Sequence, residues 1–101
     1  MILTKEQIQK SVREYFSGKP VRSVWLFGSY ARNEANEQSD VDFLVDIEPG
    51  SNLGLGYFMW HQELSSLLKK KVDIVSAGWE NRYLKPFIDM DKTMIYEKQG
   101  F

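Results

Sequence analysis

The chain has no cysteine, which excludes a disulfide framework and any thiolate chemistry. It also lacks an excess of charge of either sign: the net charge is −1 and the pI about 5.8. Nothing here resembles the basic footprint that grips a nucleic-acid backbone, so direct binding of a nucleic-acid polymer is not expected. No apolar run approaches the ~18 residues needed to cross a bilayer, and no membrane role is expected. The start, "MILTKEQIQK", has no positively charged segment leading into a long apolar one, unlike a secretory signal. A cytoplasmic location is the expectation. Repeats, low-complexity tracts and linkers are also missing. What remains is 43% hydrophobic and 27% charged over 101 residues, the balance of a globular protein. That length suits one domain, 1–101, with no room for a separate substrate-binding domain.

The pattern along the chain predicts alternating helices and strands. Thr4 stands three residues before Gln7, the capping-box spacing, and Leu3 and Ile8 flank the cap as a hydrophobic staple. Ile8, Val12, Tyr15 and Phe16 follow at helical spacing until Gly18 and Pro20 end the element. "VRSVWLF" (21–27) is rich in β-branched and aromatic residues and reads as a strand. "SYARNEA" (29–35) is expected to hold a short helix, and "NEQS" a polar loop. "DVDFLVDI" (40–47) reads as a strand buried on both faces around Phe43, Leu44 and Val45. "EPGSNLGLG" (48–56) is expected to be a mobile loop. A helix over 57–70 carries Phe58, His61, Leu64, Leu67 and Leu68 on its expected apolar side, and "KVDIVS" (71–76) is a third strand. A helix from Trp79, kinked or ended by Pro86, precedes a last strand, "TMIYE" (93–97). The alternation predicts an α/β (α+β) fold, a small mixed sheet flanked by helices.

The stretch "FGSYARNEANEQSDVDFLV" (27–45) carries the chemistry. Asp40 and Asp42 are two apart in a strand and share a face, with Cα atoms roughly 6–7 Å apart. Carboxylates converging to about 4 Å repel by about 4 kcal/mol at an effective dielectric near 20, so the pair suits a divalent cation between them. Magnesium is the usual partner of hard oxygen ligands that leave room for water and phosphate. Gly28 allows close backbone approach, Ser29 adds a hydroxyl, and amides opening the short helix expected next are placed to cradle phosphate. Arg32, about one turn on, is a candidate fork for the same phosphates. "DMD" (Asp89, Asp91) has the same acidic spacing without a Gly-Ser turn upstream and reads as a solvated helix end.

Gly28-Ser29, ten residues, then Asp40-Val41-Asp42 resembles the signature of the DNA polymerase beta-type nucleotidyltransferase superfamily. The form is most similar to its minimal branch, the MNT proteins, although Asn33 stands where that branch often has Gly. Asn tolerates the left-handed backbone such a turn needs. A third carboxylate, Asp73 in "KVDIVS", extends the resemblance. The resemblance implies that Asp40, Asp42 and Asp73 are catalytic and hold two magnesium ions. It further implies that Gly28, Ser29 and Arg32 bind the nucleotide, and that AMP passes from ATP to a hydroxyl. The partner it implies is a HEPN-type toxin silenced by that transfer. Two alternatives stay open: a catalytically silent antitoxin or binding module, and a small-molecule enzyme of the aminoglycoside type completed by a partner chain.

Other residues read as structure. Asp46 is a strand-end acid, His61 a packed histidine, "KKK" (69–71) a solvated helix end, and Arg82 and Lys85 helix-surface residues. Phe58 and Trp60, two apart on one helix, cannot both face the core. The exposed one, within "GSNLGLGYFMW", is expected to mark a docking surface for a protein acceptor or a second copy of the chain.

Overall fold

Thr4 caps helix α1 (Lys5–Phe16) through the expected box, its side chain accepting from Gln7 N while the Gln7 side chain accepts from Thr4 N. Ile8, Val12 and Phe16 are fully buried, one face of the helix, and Gly18 at φ +87 turns the chain out of it. The chain is described here by a computed structural model covering residues 1–51, 54 and 56–98. The elements after α1 are β1 (Val21–Phe27), β2 (Val41–Ile47), α2 (Gly56–Leu68), β3 (Val72–Ser76), α3 (Lys85–Asp91) and β4 (Thr93–Glu97). Among the described residues the strands form one sheet in the order β3-β2-β1-β4, with β2 and β3 parallel and the other pairs antiparallel. The parallel pair needs a crossover, and α2 supplies it. No helix among the described residues is long and apolar enough to cross a membrane.

The two faces of the sheet are unequal. Val24, Leu26, Val41, Phe43, Val45, Val72 and Ile74 join α1 and α2 in the main core. The alternate positions, Trp25, Phe27, Asp42, Leu44, Asp73 and Val75, point to the other face. There α3 lies against β1, and Ile88 and Leu44 are buried outside the main core. We call these the inner and outer faces. The outer face has only this short cover, which leaves its carboxylates within reach of solvent.

Three expectations need correction. "SYARNEA" forms turns rather than a helix. Pro86 stands in the first turn of α3 and starts it rather than ending it, because a helix's first amides need no intrahelical acceptor. On α2 the buried line is Trp60, Leu64 and Leu68, with Phe58 71% and Leu67 56% exposed. Trp60 wins the inward position because it meets Phe16 edge-on at 5.3 Å, with Tyr57 beside it. Of the loop expected at 48–56, residues 52, 53 and 55 lie outside the described residues.

Replacing Trp60 with alanine should cost about 3–5 kcal/mol of stability. Phe58→Ala should stay within about 0.5 kcal/mol of the parent. Urea unfolding of both variants checks this, and equal losses would contradict the inward assignment of Trp60.

Candidate active site

β1 ends at Phe27, and Gly28 turns away from the sheet at φ +77. A side chain is excluded there twice over: the backbone is left-handed, and a Cβ would lie 2.3 Å from Asp42 Oδ2. The turn thus lies directly on the carboxylate that β2 presents beside it. Arg32 N donates to Gly28 O at 3.1 Å and Glu34 N to Ser29 O at 2.9 Å, closing one helix-like turn. Asn33, at φ +61, takes the left-handed position that stops it. That is why no helix forms. The N–H groups of Ser29, Tyr30 and Ala31 find no acceptor among the described residues. The start of α1 and the residues before it brace the turn: Leu3 N donates to the Tyr30 hydroxyl at 3.4 Å, and Lys5 Nζ to Ala31 O at 3.0 Å. Unpaired amides in one such turn are anion donors, and Ser29 adds a hydroxyl to them.

The carboxylates gather on the outer face. Asp42 and Asp73 are register partners on the parallel pair β2 and β3. Asp40 stands one residue before β2 begins, and its carboxylate is 3.8 Å from Lys71 Nζ. Burial, then the negative charges of Asp73 and Asp40 and a hydrogen bond to Asp73, push the Asp42 carboxyl up to about 6, against a smaller opposing pull from Arg32. A cation relieves this concentration of negative charge, so the donor chemistry fits a hard divalent ion. The third member is not drawn in: among the described residues, no three Asp, Glu, His or Cys side chains stand together as a ready ligand group.

Arg32 does not wait free for phosphate. Its Nε is 2.6 Å from Glu34 Oε1, and a terminal nitrogen is 2.6 Å from Asp91 Oδ2. These two hydrogen bonds hold the guanidinium firmly in its charged form. Asp91 is the residue that sequence reasoning missed, since no local pattern links positions 59 apart. Asp89 pairs with Lys85 at 2.8 Å and Lys92 at 3.1 Å, the solvated helix end expected of it. Asp46 pairs with Arg22 at 3.0 Å. His61 Nδ1 lies 3.3 Å from Tyr57 O, and its ring packs edge-on to Tyr57. Lys69, at φ +56, closes α2, and Lys70 Nζ donates to Glu37 O at 2.8 Å.

Comparison with known proteins points one way. The family described as "Nucleotidyltransferase domain" matches residues 5–98. A Methanocaldococcus jannaschii protein provisionally named a protein adenylyltransferase is 42% identical over 89 residues, spanning 86% of this chain and 89% of the relative. Protein adenylyltransferase MntA of Thermococcus cleftensis is 42% identical over 81 residues, spanning 73% of this chain and 78% of its own length. A chain in the structure of a tri-AMPylated Shewanella oneidensis HEPN toxin in complex with MNT antitoxin superposes with a TM-score of 0.70. It covers 94% of this chain and 74% of that one at 16% identity, a likeness of fold.

Gly28→Ala should abolish function at the site without unfolding the protein, because the clash falls on a side chain at the sheet's outer end. Circular dichroism and a nucleotide-binding assay separate the two effects. Asp42→Asn should stabilise the metal-free protein near neutral pH. The folded carboxyl titrates at about 6 against an ordinary 3.8, so the folded state holds the extra proton between those values and stability falls as pH rises through them. After discounting for solvent, the variant should gain about 1–2 kcal/mol at pH 7 and nothing near pH 4. Urea melts in EDTA at both pH values test it, and an advantage independent of pH would contradict the charge argument.

Proposed function

The chain belongs to the nucleotidyltransferase domain family, and we propose that it transfers AMP from ATP to a hydroxyl of a partner protein in the cytoplasm. The observation that carries the reading is the contact between Gly28 and the Asp42 carboxyl. It joins a turn with free amides to a group of carboxylates on one open face. The names of the relatives support protein as the acceptor, and the HEPN toxin in the likeness of fold supports a HEPN-type partner.

In this reading the Ser29 hydroxyl and the N–H groups of the turn bind the β and γ phosphates. Asp40, Asp42 and Asp73 would hold magnesium, which when bound neutralises the triphosphate and lowers the pKa of the acceptor hydroxyl. Asp42, with its carboxyl pushed up to about 6, is largely ionised near neutral pH and open to a cation, and Asp40 must leave Lys71. Asp73, at the open side of the pair, orients the acceptor hydroxyl and takes its proton. The acceptor oxygen bonds to the α-phosphorus as the bond to the β-phosphate oxygen breaks, and pyrophosphate leaves with the electron pair. Arg32 reaches the phosphates only by exchanging Glu34 or Asp91, so its contribution is smaller than that of the turn.

The test is transfer of label from [α-32P]ATP with magnesium to a purified HEPN-type protein from the same host. Asp40→Asn with Asp42→Asn should abolish labelling, and activity within a few-fold of the parent would overturn the assignment. Asp73→Asn should slow turnover by about a hundredfold or more while weakening Mg-ATP binding far less. Calorimetric ATP affinity falling as far in Asp73→Asn as in Asp42→Asn would refute that division of labour.

A further inference from the structure

We infer that the outward side of α3 and the residues leading into it, with Tyr83, Leu84, Phe87 and Met90, form the surface on which the protein acceptor docks; this rests on the transfer reading above. These side chains are 69%, 54%, 65% and 83% exposed. Positions 83, 87 and 90 recur at helical spacing on one side; Ile88, the buried residue of α3, lies on another, and Leu84, four residues before it, borders the two. Exposed aromatic and Met area of this kind amounts to about 500 Å², the upper part of the range for the largest patch on a monomer. It suits the centre of a standard protein interface, which takes roughly 800 Å² from each partner.

Position selects the occupant. Helix α3 packs on β1 and covers the outer face, the one that bears Asp42 and Asp73. Its last residue, Asp91, holds Arg32 of the Gly-Ser turn, and Thr93 just beyond it pairs with Leu26 near the end of β1. The apolar line therefore runs toward the end of α3 that holds the Gly-Ser turn, where Met90 precedes Asp91. A second copy of the chain seated here would close that face against itself, whereas an acceptor has to reach it. Charge adds a further requirement. Arg82 lies over the Tyr83 ring at 4.9 Å and donates to its hydroxyl at 2.8 Å, with no carboxylate partner among the described residues. The fitting acceptor segment thus carries an acidic residue opposite Arg82, apolar side chains along Phe87 and Met90, and its hydroxyl beyond Met90.

The exposed apolar residues of α2, Phe58, Met59 and Leu67, serve this role less well. Helix α2 packs on the inner face, and Phe58 and Met59 stand at its start, beyond the end of β2 remote from Asp42. The docking surface expected around Phe58 is therefore assigned instead to α3.

The experiment follows label from [α-32P]ATP onto the protein that this chain modifies in an extract of its native host, then onto that protein once purified. Phe87→Ser and Met90→Ser should each raise the acceptor concentration needed for half-maximal labelling by about tenfold or more. Maximal labelling at high acceptor and Mg-ATP affinity should stay within about twofold of the parent, the pattern of lost acceptor binding alone. Phe87→Leu should restore much of the loss, and Phe58→Ser should change nothing. Unchanged acceptor dependence in both α3 variants, or a loss in Phe58→Ser instead, would overturn the docking surface while leaving the transfer reading intact. No labelled protein with the parent chain would overturn the transfer reading, and the docking proposal with it.

Discussion

Everything at the candidate site depends on one approach: the end of β1 lies so close to Asp42 that residue 28 has no room for a Cβ. A backbone turn with free N–H groups attracts anions, and a carboxylate repels them. Burying the Asp42 carboxyl here, beside the negative charges of Asp73 and Asp40, is unfavourable in the bare protein, and its raised value registers that cost. The arrangement makes sense when a ligand supplies both missing charges, a cation for the carboxylates and an anion for the amides. A metal-bound nucleotide does both at once.

The unequal sheet is the second half of the same design. Parallel and central strands usually need cover on both faces, and here α1 and α2 bury one face completely. The other is covered by the seven residues of α3, with Ile88 and Leu44 buried outside the main core. That cover keeps β2 in place while leaving Asp42 and Asp73 open on the same face. Stability comes from one side of the sheet and chemistry is exposed on the other.

Much of this was legible in the sequence where local rules act alone. The capping box of Thr4 and Gln7, the strands around Trp25, Phe43 and Ile74, and the left-handed Asn33 all follow from short-range spacing and backbone preference. What local spacing does not carry depends on backbone stops and distant partners. Phe58 and Trp60 are both plausible inward residues, and the choice is made by Phe16, on another helix. "SYARNEA" has helical composition, but its backbone is stopped after one turn by Asn33. Arg32 has the spacing of a phosphate ligand, yet Asp91 claims it from the far end of the chain. Asp73 was legible only through the family resemblance, because the parallel pairing of β2 and β3 that sets it beside Asp42 leaves no mark in local spacing.

The bond between Arg32 and Asp91 joins positions 59 apart, and β1 lies between β2 and the last strand, β4. The Gly-Ser turn and the first two carboxylates are all translated by residue 42, but the strand that flanks β1 on its other side begins at Thr93. Long-range pairings of this kind form late. A ribosome-bound chain therefore carries the whole sequence motif while lacking the site, and competence arrives only as synthesis of the domain finishes.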